Sequence, residues 1–513
     1  MRKPGKTSNS TRLNASHSDA PHKSASHKGA PRASHTRAPH NGAAPEDLWG
    51  IVNVRAAGAK GDGKKPDTRA IQAAIDRAAS RGGGTVLVPA GTYLTGSLFM
   101  KSRVSLHLEA GAVILASEEE ADYPLIESRW EGETRVTHAP LVSGAGLEDV
   151  EITGRGTING QGRVWWERHR ARTLSHPRPR LISFSDCTRV RIAGIRAVDS
   201  PSWTINPVRC DDVIVDGITI RNPADSPNTD GINPDSCSRV RISNCLVDVG
   251  DDCITIKSGV ECERPELRRP CRDIAVTNCI LAAGHGGIVI GSEMSGGVSG
   301  VVISNCVFDG TDRGIRMKSR RGRGGTVEDI RVSNVVMKDV ECPFTMNMFY
   351  GCGAWGDPVV SDRNARPVDE GTPRFRSISI SGMTARGTTH AAAFIHGLAE
   401  SPVEDVTLRD ISVILSPDAE GGLPEMADGL SPMTREGIYV RFARGLSMDR
   451  VCIEGQLGPA FRVEDSSNVE LRSCGTRPPR PAEDMLSLCR VKGAVIDGRA
   501  IDGSGAASGS AED

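Results

Sequence analysis

The sequence predicts an all-β protein, a single-stranded parallel β-helix closed at its N-terminal end by one helix. Three observations carry this. First, a phrase of the form apolar-x-apolar-x-(Asn/Gly/Asp) begins at Val150, Val190, Val213, Val240, Ile274, Val301, Ile330, Ile378 and Val406. Its spacing runs from 23 residues (Val190 to Val213) to 48 (Ile330 to Ile378), too short and strand-rich for helical repeats and too irregular for propeller blades. Second, four segments align without gaps on an isoleucine and end in the same serine: Thr229–Ser236 on Ile232, Asp251–Ser258 on Ile254, His285–Ser292 on Ile288 and Arg313–Ser319 on Ile315. Third, only one amphipathic helix is visible, and it precedes the strands.

Residues 1–47 are mostly Ser, Ala, Pro, His, Lys and Arg, with Leu13 the only large aliphatic after Met1; they lack the apolar surface needed to offset ordering entropy and are predicted to be a disordered tail. Its histidines (His17, His22, His27, His35, His40) are irregularly spaced, with no Cys and only Asp19 as an acid among them, which does not suggest a metal tract. A strand-like segment from Ile51 leads to Gly61-Asp62-Gly63, after which Ile71, Ala74, Ile75, Ala78 and Ala79 fall at helical spacing. Asp67 or Thr68 is the expected N-cap and Gly82-Gly83-Gly84 the stop. This helix would cap the open end of the solenoid. The β-helix is expected over residues 48–490, with a flexible C-terminal tail over 491–513. Asn244, Asn278, Asn305 and Asn334 stand at one corner of successive coils, where Asn tolerates a left-handed backbone and its amide can bond the next rung.

The chain has 513 residues and a net charge of −1. A solenoid buries its core by stacking repeats and so escapes the usual domain size limit. The balanced charge gives no polyanion-binding surface across the whole protein, so nucleic acid is not an expected partner. No apolar run approaches the about 20 residues of a membrane span. The N-terminus lacks the apolar stretch of a secretion signal, which leads to a cytoplasmic expectation with secretion as the alternative. Most of the 14 cysteines read as small buried thiols, since Cys245, Cys279 and Cys306 each follow a corner Asn. Cys262 and Cys271 flank one loop and are the pair suspected of a disulfide.

Stacking the four aligned segments puts Asp230 and Asp252 in one column and Asp251 and His285 in the column beside it. Rungs about 4.8 Å apart would bring carboxylates close enough to oppose each other's ionisation, a cost that points to function. Asp251 and Asp252 are neighbours and would face opposite ways in a regular strand; Gly250 before them suggests a bend. Arg316 and Lys318 are two apart and share a face. Beside three acids they suit an anionic substrate, Arg gripping a carboxylate bidentately and Lys adding a point charge. His285, between Gly284 and Gly286, reads as the partner that orients or tunes Asp251.

Asn228-Thr229-Asp230, Gly250-Asp251-Asp252, Gly284-His285-Gly286 and Arg316-Met317-Lys318 resemble the four signature motifs of glycoside hydrolase family 28, the polygalacturonases, with Met317 in place of the commoner Ile. Gly58–Tyr93 is similar to the N-terminal cap of bacterial members and related pectin-degrading β-helices, and the resemblance spans about residues 50–475. It implies a right-handed, pectin lyase-like β-helix that hydrolyses α-1,4 bonds between galacturonates with inversion. It further implies Asp251 as general acid, Asp230 and Asp252 as activators of water, and His285 as support for the acid. Arg316, Lys318 and Asn228 would bind substrate, and Tyr350 would match a sugar-stacking tyrosine, with Phe349 as the alternative. The 291–297 and 320–325 loops look like those of exo-acting bacterial members, which suggests release of galacturonate from a chain end.

The expected partner is therefore an acidic polysaccharide or oligogalacturonate, with no cofactor and no metal. Endo action and substituted galacturonans (xylogalacturonan, rhamnogalacturonan) are the near alternatives. A calcium-dependent lyase on the same scaffold would use the carboxylates as ligands and a cationic base. A non-cleaving polysaccharide-binding β-helix would have no need of a strained acid trio.

Overall fold

Strands along the chain stack in parallel, each one rung above the last, with the connections lying at the corners. The structure is a computed structural model, and it describes residues 50–503; the expectations for the 1–47 tail and its histidines lie outside these residues. Val150, Val190, Val213, Val240, Ile274, Val301, Ile330, Ile378 and Val406 pair one above the next, in the register of the repeated phrase. All nine are buried at 2% exposure or less. Burying a side chain of this size contributes about 1.5–3 kcal/mol, so the stacked aliphatic columns supply the main stabilisation. The crossovers make a right-handed parallel β-helix, the hand that right-twisted strands impose.

The second expected column also forms. Ile232 bridges Ile254, Ile254 pairs Ile288 and Ile288 pairs Ile315. These residues lie on one face of the solenoid, in strands β1 (Ile254–Ile256), β2 (Ile288–Ile290), β3 (Arg313–Lys318), β4 (Cys342–Asn347), β5 (Ala391–His396) and β6 (Glu436–Arg441). Ile232–Asp235 joins this sheet only through isolated bridges; Pro234 has no N–H to give the ladder.

Helix α1 spans Thr68–Ser80 and buries Ile71, Ala74, Ile75 and Ala78 against Ile51–Asn53, Gly84–Val88, Leu98–Phe99 and Val104–Leu108, the first coils of the stack. Neither expected side chain caps it. The Asp67 carboxylate accepts from Lys60 and Gly61 N–H groups at 2.6 and 2.9 Å, and Thr68 Oγ1 accepts from Gly96 N–H at 3.0 Å. Both pin neighbouring loops to the cap instead.

Other expectations need correction. The β-helix does not end at residue 490: Val491–Ile496 adds in parallel to Ser467–Arg472 and pairs antiparallel with Arg499–Gly503. The Asn ladder is interrupted. Asn278 bonds Asn244 at 3.4 Å and Asn334 bonds Asn305 at 2.7 Å, but Asn305 turns to Thr277 Oγ1 at 3.3 Å. All four keep the left-handed backbone, with φ from 54 to 58°. Cys262 and Cys271 are both free. Cys271 points into the core, where its Sγ accepts from Cys237 N–H, while Cys262 sits on the exposed loop near Glu133. Nine of the cysteines are buried, as the corner pattern indicates. Among the described residues, no helix is long and apolar enough to cross a membrane.

Candidate active site

Asn228, Asp230, Asp251, Asp252, His285, Arg316, Lys318 and Tyr350 line one cavity of about 560 Å³. Two adjacent acids reach it because 250–253 is a bend rather than strand. Gly250 is required there, since a Cβ would lie 2.5 Å from Pro223 O and 2.6 Å from Ser226 O. The three aspartates approach within 4.8 Å, oxygen to oxygen. Their surroundings differ. Asp252 is held by Lys318 Nζ at 2.8 Å and faces Arg316 Nη1 at 3.5 Å. Asp230 accepts from Asn233 Nδ2 at 3.1 Å. Asp251 accepts from the Asp252 N–H at 2.8 Å and lies 3.6 Å from His285 Nδ1. The Asp251 side chain is 21% exposed and that of Asp252 only 2%.

Burial and the adjacent Asp251 charge push the Asp230 carboxyl well above the usual range. Burial also pushes Asp251 up, but the His285 hydrogen bond and charge, with Lys318 and the Asp252 N–H, outweigh it and hold Asp251 below. The hydrogen bond to Asp251 raises His285 in turn. Of the three acids Asp230 is therefore the one whose protonated form the site favours, while Asp251 is drawn towards its charged form beside His285.

Arg316 and Lys318 share the outer face of β3, as their spacing requires. Tyr350 lies under both cations, 5.7 Å from the Arg316 guanidinium and 5.2 Å from Lys318 Nζ, whereas Phe349 is 1% exposed in the core. Asn228 has a left-handed backbone, φ 53°, and its Oδ1 accepts from Arg178 Nη2 at 2.7 Å. The acid trio has the spacing of a metal-ligand cluster, but Lys318, Arg316 and His285 already face its oxygens, so charge neutralisation is supplied by side chains.

Two groups at the site escaped sequence reasoning. Glu425, fully buried, grips Arg316 bidentately at 2.8 and 3.0 Å and also accepts from Thr345 Oγ1. Arg316, first among its charged partners, holds Glu425 down near 2 against its burial. It lies 109 positions from Arg316 in a loop with no repeat to mark it. Lys257, paired with Glu293 at 2.9 Å and 4.7 Å from the Trp203 ring, did leave a signal. It stands three places after its aligned isoleucine, as Lys318 does.

Loops tied to one another line the cavity at Val260, Glu261, Arg320 and Arg323. The hairpin Leu125–Trp130 and Glu133–His138 brings Gly132 against Val260, so close that a Cβ would lie 2.6 Å away. Arg129 anchors it to Asp235 at 3.2 Å and Glu263 at 2.7 Å. Glu261 ties this loop to Arg320 at 3.2 Å and to Arg323. Beyond Glu131 and Asn228, a neighbouring groove is lined by His169, Arg170, Arg172, His176 and Arg178.

A parallel β-helix whose cleft sets three carboxylates against an imidazole, an arginine and a lysine defines an acid/base glycosidase of the β-helix class. Residues 80–421 match the family model for glycosyl hydrolases family 28, and residues 51–108 match one for rhamnogalacturonase A/epimerase, pectate lyase-like. A probable polygalacturonase of Vitis vinifera is 35% identical over 373 residues, 71% of this chain and 74% of that protein. A hyperthermoactive exopolygalacturonase of Thermotoga maritima is 29% identical, with a TM-score of 0.68 over 79% of this chain and 91% of that one. The family 28 exopolygalacturonase of Yersinia enterocolitica, 22% identical, shares the fold with a TM-score of 0.64 over 88% of this chain and 79% of its own. The chain belongs to glycoside hydrolase family 28, the polygalacturonase family, as its four motifs implied.

Proposed function

We propose that this hydrolase releases galacturonate from the end of galacturonan chains by single displacement with inversion. The observation that carries the assignment of roles is the unequal exposure of the three acids. All three acids line the cleft, but Asp251 is the most exposed of them, so it donates to the leaving glycosidic oxygen, with His285 as its exposed partner. Asp230 and Asp252 lie deeper, at 3% and 2% exposure, and hold the attacking water. A separation within 4.8 Å lies in the span of one water donating hydrogen bonds of about 2.8 Å to both sides. The site favours a proton on Asp230 over one on Asp251, so the acid step draws a proton to Asp251. A substrate carboxylate drawn to Arg316 and Lys318 favours this, because added negative charge raises the Asp251 pKa.

Oxygens this close are nearer than the about 6.5–9.5 Å usual for inverting enzymes. Inversion therefore rests on the family, not on the spacing. End-wise action is supported by the wall of tied loops at Val260, Glu261, Arg320 and Arg323 and by the likeness to the Thermotoga exopolygalacturonase. The basic groove beyond Asn228 suits the rest of a polyanionic chain.

Incubation with polygalacturonate, with products sized over time and their anomers followed by NMR, tests this. Free galacturonate should appear first, as the β-anomer, while viscosity falls slowly. Early tri- to pentamers would overturn end-wise action, and an α-anomer would overturn inversion. Absence of any release from unsubstituted galacturonan would point to a substituted one.

A further inference from the structure

The columns that carry the catalytic cations continue along the same face of the solenoid. Lys318 pairs Asn347, Asn347 pairs His396 and His396 pairs Arg441; in the other column Arg316 pairs Thr345, Thr345 pairs Phe394 and Phe394 pairs Tyr439. Two to three rungs beyond Arg316 and Lys318, His396, Tyr439 and Arg441 line, with the 429–434 segment, a second cavity of about 330 Å³. Met426, in the same loop, lines the catalytic cavity, and Glu425 beside it grips Arg316, so one loop contributes to both spaces.

Three features of this cavity suit a small anion bearing hydroxyl groups. His396, 2% exposed, lines it with both ring nitrogens unpartnered. Burial and the charges of Arg363 and Arg441 hold this imidazole well below its usual pKa, so it is neutral and offers one donor and one acceptor, the complement of a hydroxyl. Among the described residues, Arg363 is the lining cation with no ion-pair partner. It donates to the Asp428 carbonyl and stacks 3.9 Å over Phe349, leaving Nη1 buried and unbonded. The other lining arginines are already matched, Arg441 to Asp465 at 2.9 Å and Arg462 to Glu464 at 2.8 Å. The lining carboxylate, Glu436, is pushed up by burial. Tyr439 supplies an apolar ring, the surface that a pyranose face packs against.

We propose that this cavity is a second binding site for a monomeric sugar acid, its carboxylate on Arg363 and a hydroxyl on His396. The choice of a sugar acid rests on the proposed galacturonan activity, whose product is such a molecule. Occupancy is communicated to the catalytic cleft through Phe349, which packs on His396 with ring centroids 4.6 Å apart and precedes Tyr350, and through the shared loop.

Calorimetric titration of the full chain with galacturonate, and with galactose as the uncharged control, tests it. Two sites are expected for galacturonate. Arg363→Gln should weaken one of them roughly tenfold or more, as loss of a charge-assisted hydrogen bond does, while initial hydrolysis rates in the absence of product persist. Lys318→Ala should remove the other site. A single site in the wild-type protein, a second site indifferent to Arg363→Gln, or equal binding of galactose there would overturn the proposal. Indifference to Lys318→Ala alone would instead count against the reading of the catalytic cleft.

Discussion

Asp230 is the carboxyl that folding makes hardest to ionise. Its pKa is raised in the folded state by burial and by Asp251, so the folded protein keeps a proton there over a range in which the unfolded chain, near 3.8, has lost it. Stability therefore falls as pH rises through that range, and the cost is complete above the folded value. Asp230→Asn removes this cost. It should raise Tm by a degree or more near pH 7, show no gain at pH about 3 where both forms are neutral, and lower kcat by about 10²-fold or more. A lower Tm near pH 7 would show instead that Lys257 and Lys318 stabilise the ionised form. Asp251→Asn should lower kcat about 10²–10⁴-fold as loss of a general acid does; retention of a tenth of wild-type turnover would remove Asp251 from that role. At this scale the sequence was readable wherever a residue kept a fixed offset from the stacked isoleucine, as Asp230, Asp252 and Lys318 do. Glu425 has no offset to keep. It reaches Arg316 from a loop whose path is set by packing on β4, and only coordinates reveal it.

The rung is the element, and two corners define it. One was legible: Gly154, Gly194, Gly217, Asn244 and their successors take left-handed backbones, and Gly and Asn advertise that conformation. The other was not. Directly before each repeated phrase stand Asp149, Arg189, Asp212, Arg239 and Asp273, also left-handed with φ from 54 to 59°, although Arg carries no such preference. There the stacked neighbours impose the conformation, and Arg189 to Asp149 and Arg209 to Asp186 ion pairs cover the outer surface. Loops between rungs were the least legible, and they line the cleft around the acids. The cleft wall was expected from the 291–297 and 320–325 loops. The hairpin at 125–138 and the loop at 259–270 complete it, and Glu261 joins them to Arg320 and Arg323. The Glu261 side chain is 38% exposed, so its ion pairs should add less than about 1 kcal/mol to stability. Glu261→Ala should therefore leave Tm nearly unchanged while raising the share of di- and trigalacturonate among early products. An unaltered product distribution would show that the hairpin alone sets the wall.

Residues 50–503 form a stack of coils, each pairing with the coil before and after it, and the first and last of these coils are covered by different means. At the N-terminal end α1 lays Ile71, Ala74, Ile75 and Ala78 over the first coils; at the other, Arg499–Gly503 turns back against Val491–Ile496 and breaks the parallel pattern. In such an array stability is close to a sum of local terms, whereas the catalytic geometry is fixed by the rungs from Asn228 to Tyr350. Damage to the cap should therefore be felt in stability and not in turnover. Ile75 is fully buried, and truncating such a side chain costs about 2–5 kcal/mol. Ile75→Ala should accordingly lower the urea midpoint of the first unfolding transition, while kcat and KM on polygalacturonate at 25 °C stay within about twofold of wild type, under 0.5 kcal/mol by the usual conversion. The N-terminal coils should also become the first cleaved in limited proteolysis, since local opening concentrates where the cap has been weakened. A parallel loss of kcat and midpoint would mean that the coils between Gly84 and Asn228 transmit disorder to the site, and the column would then behave as one cooperative unit rather than a stack of neighbours.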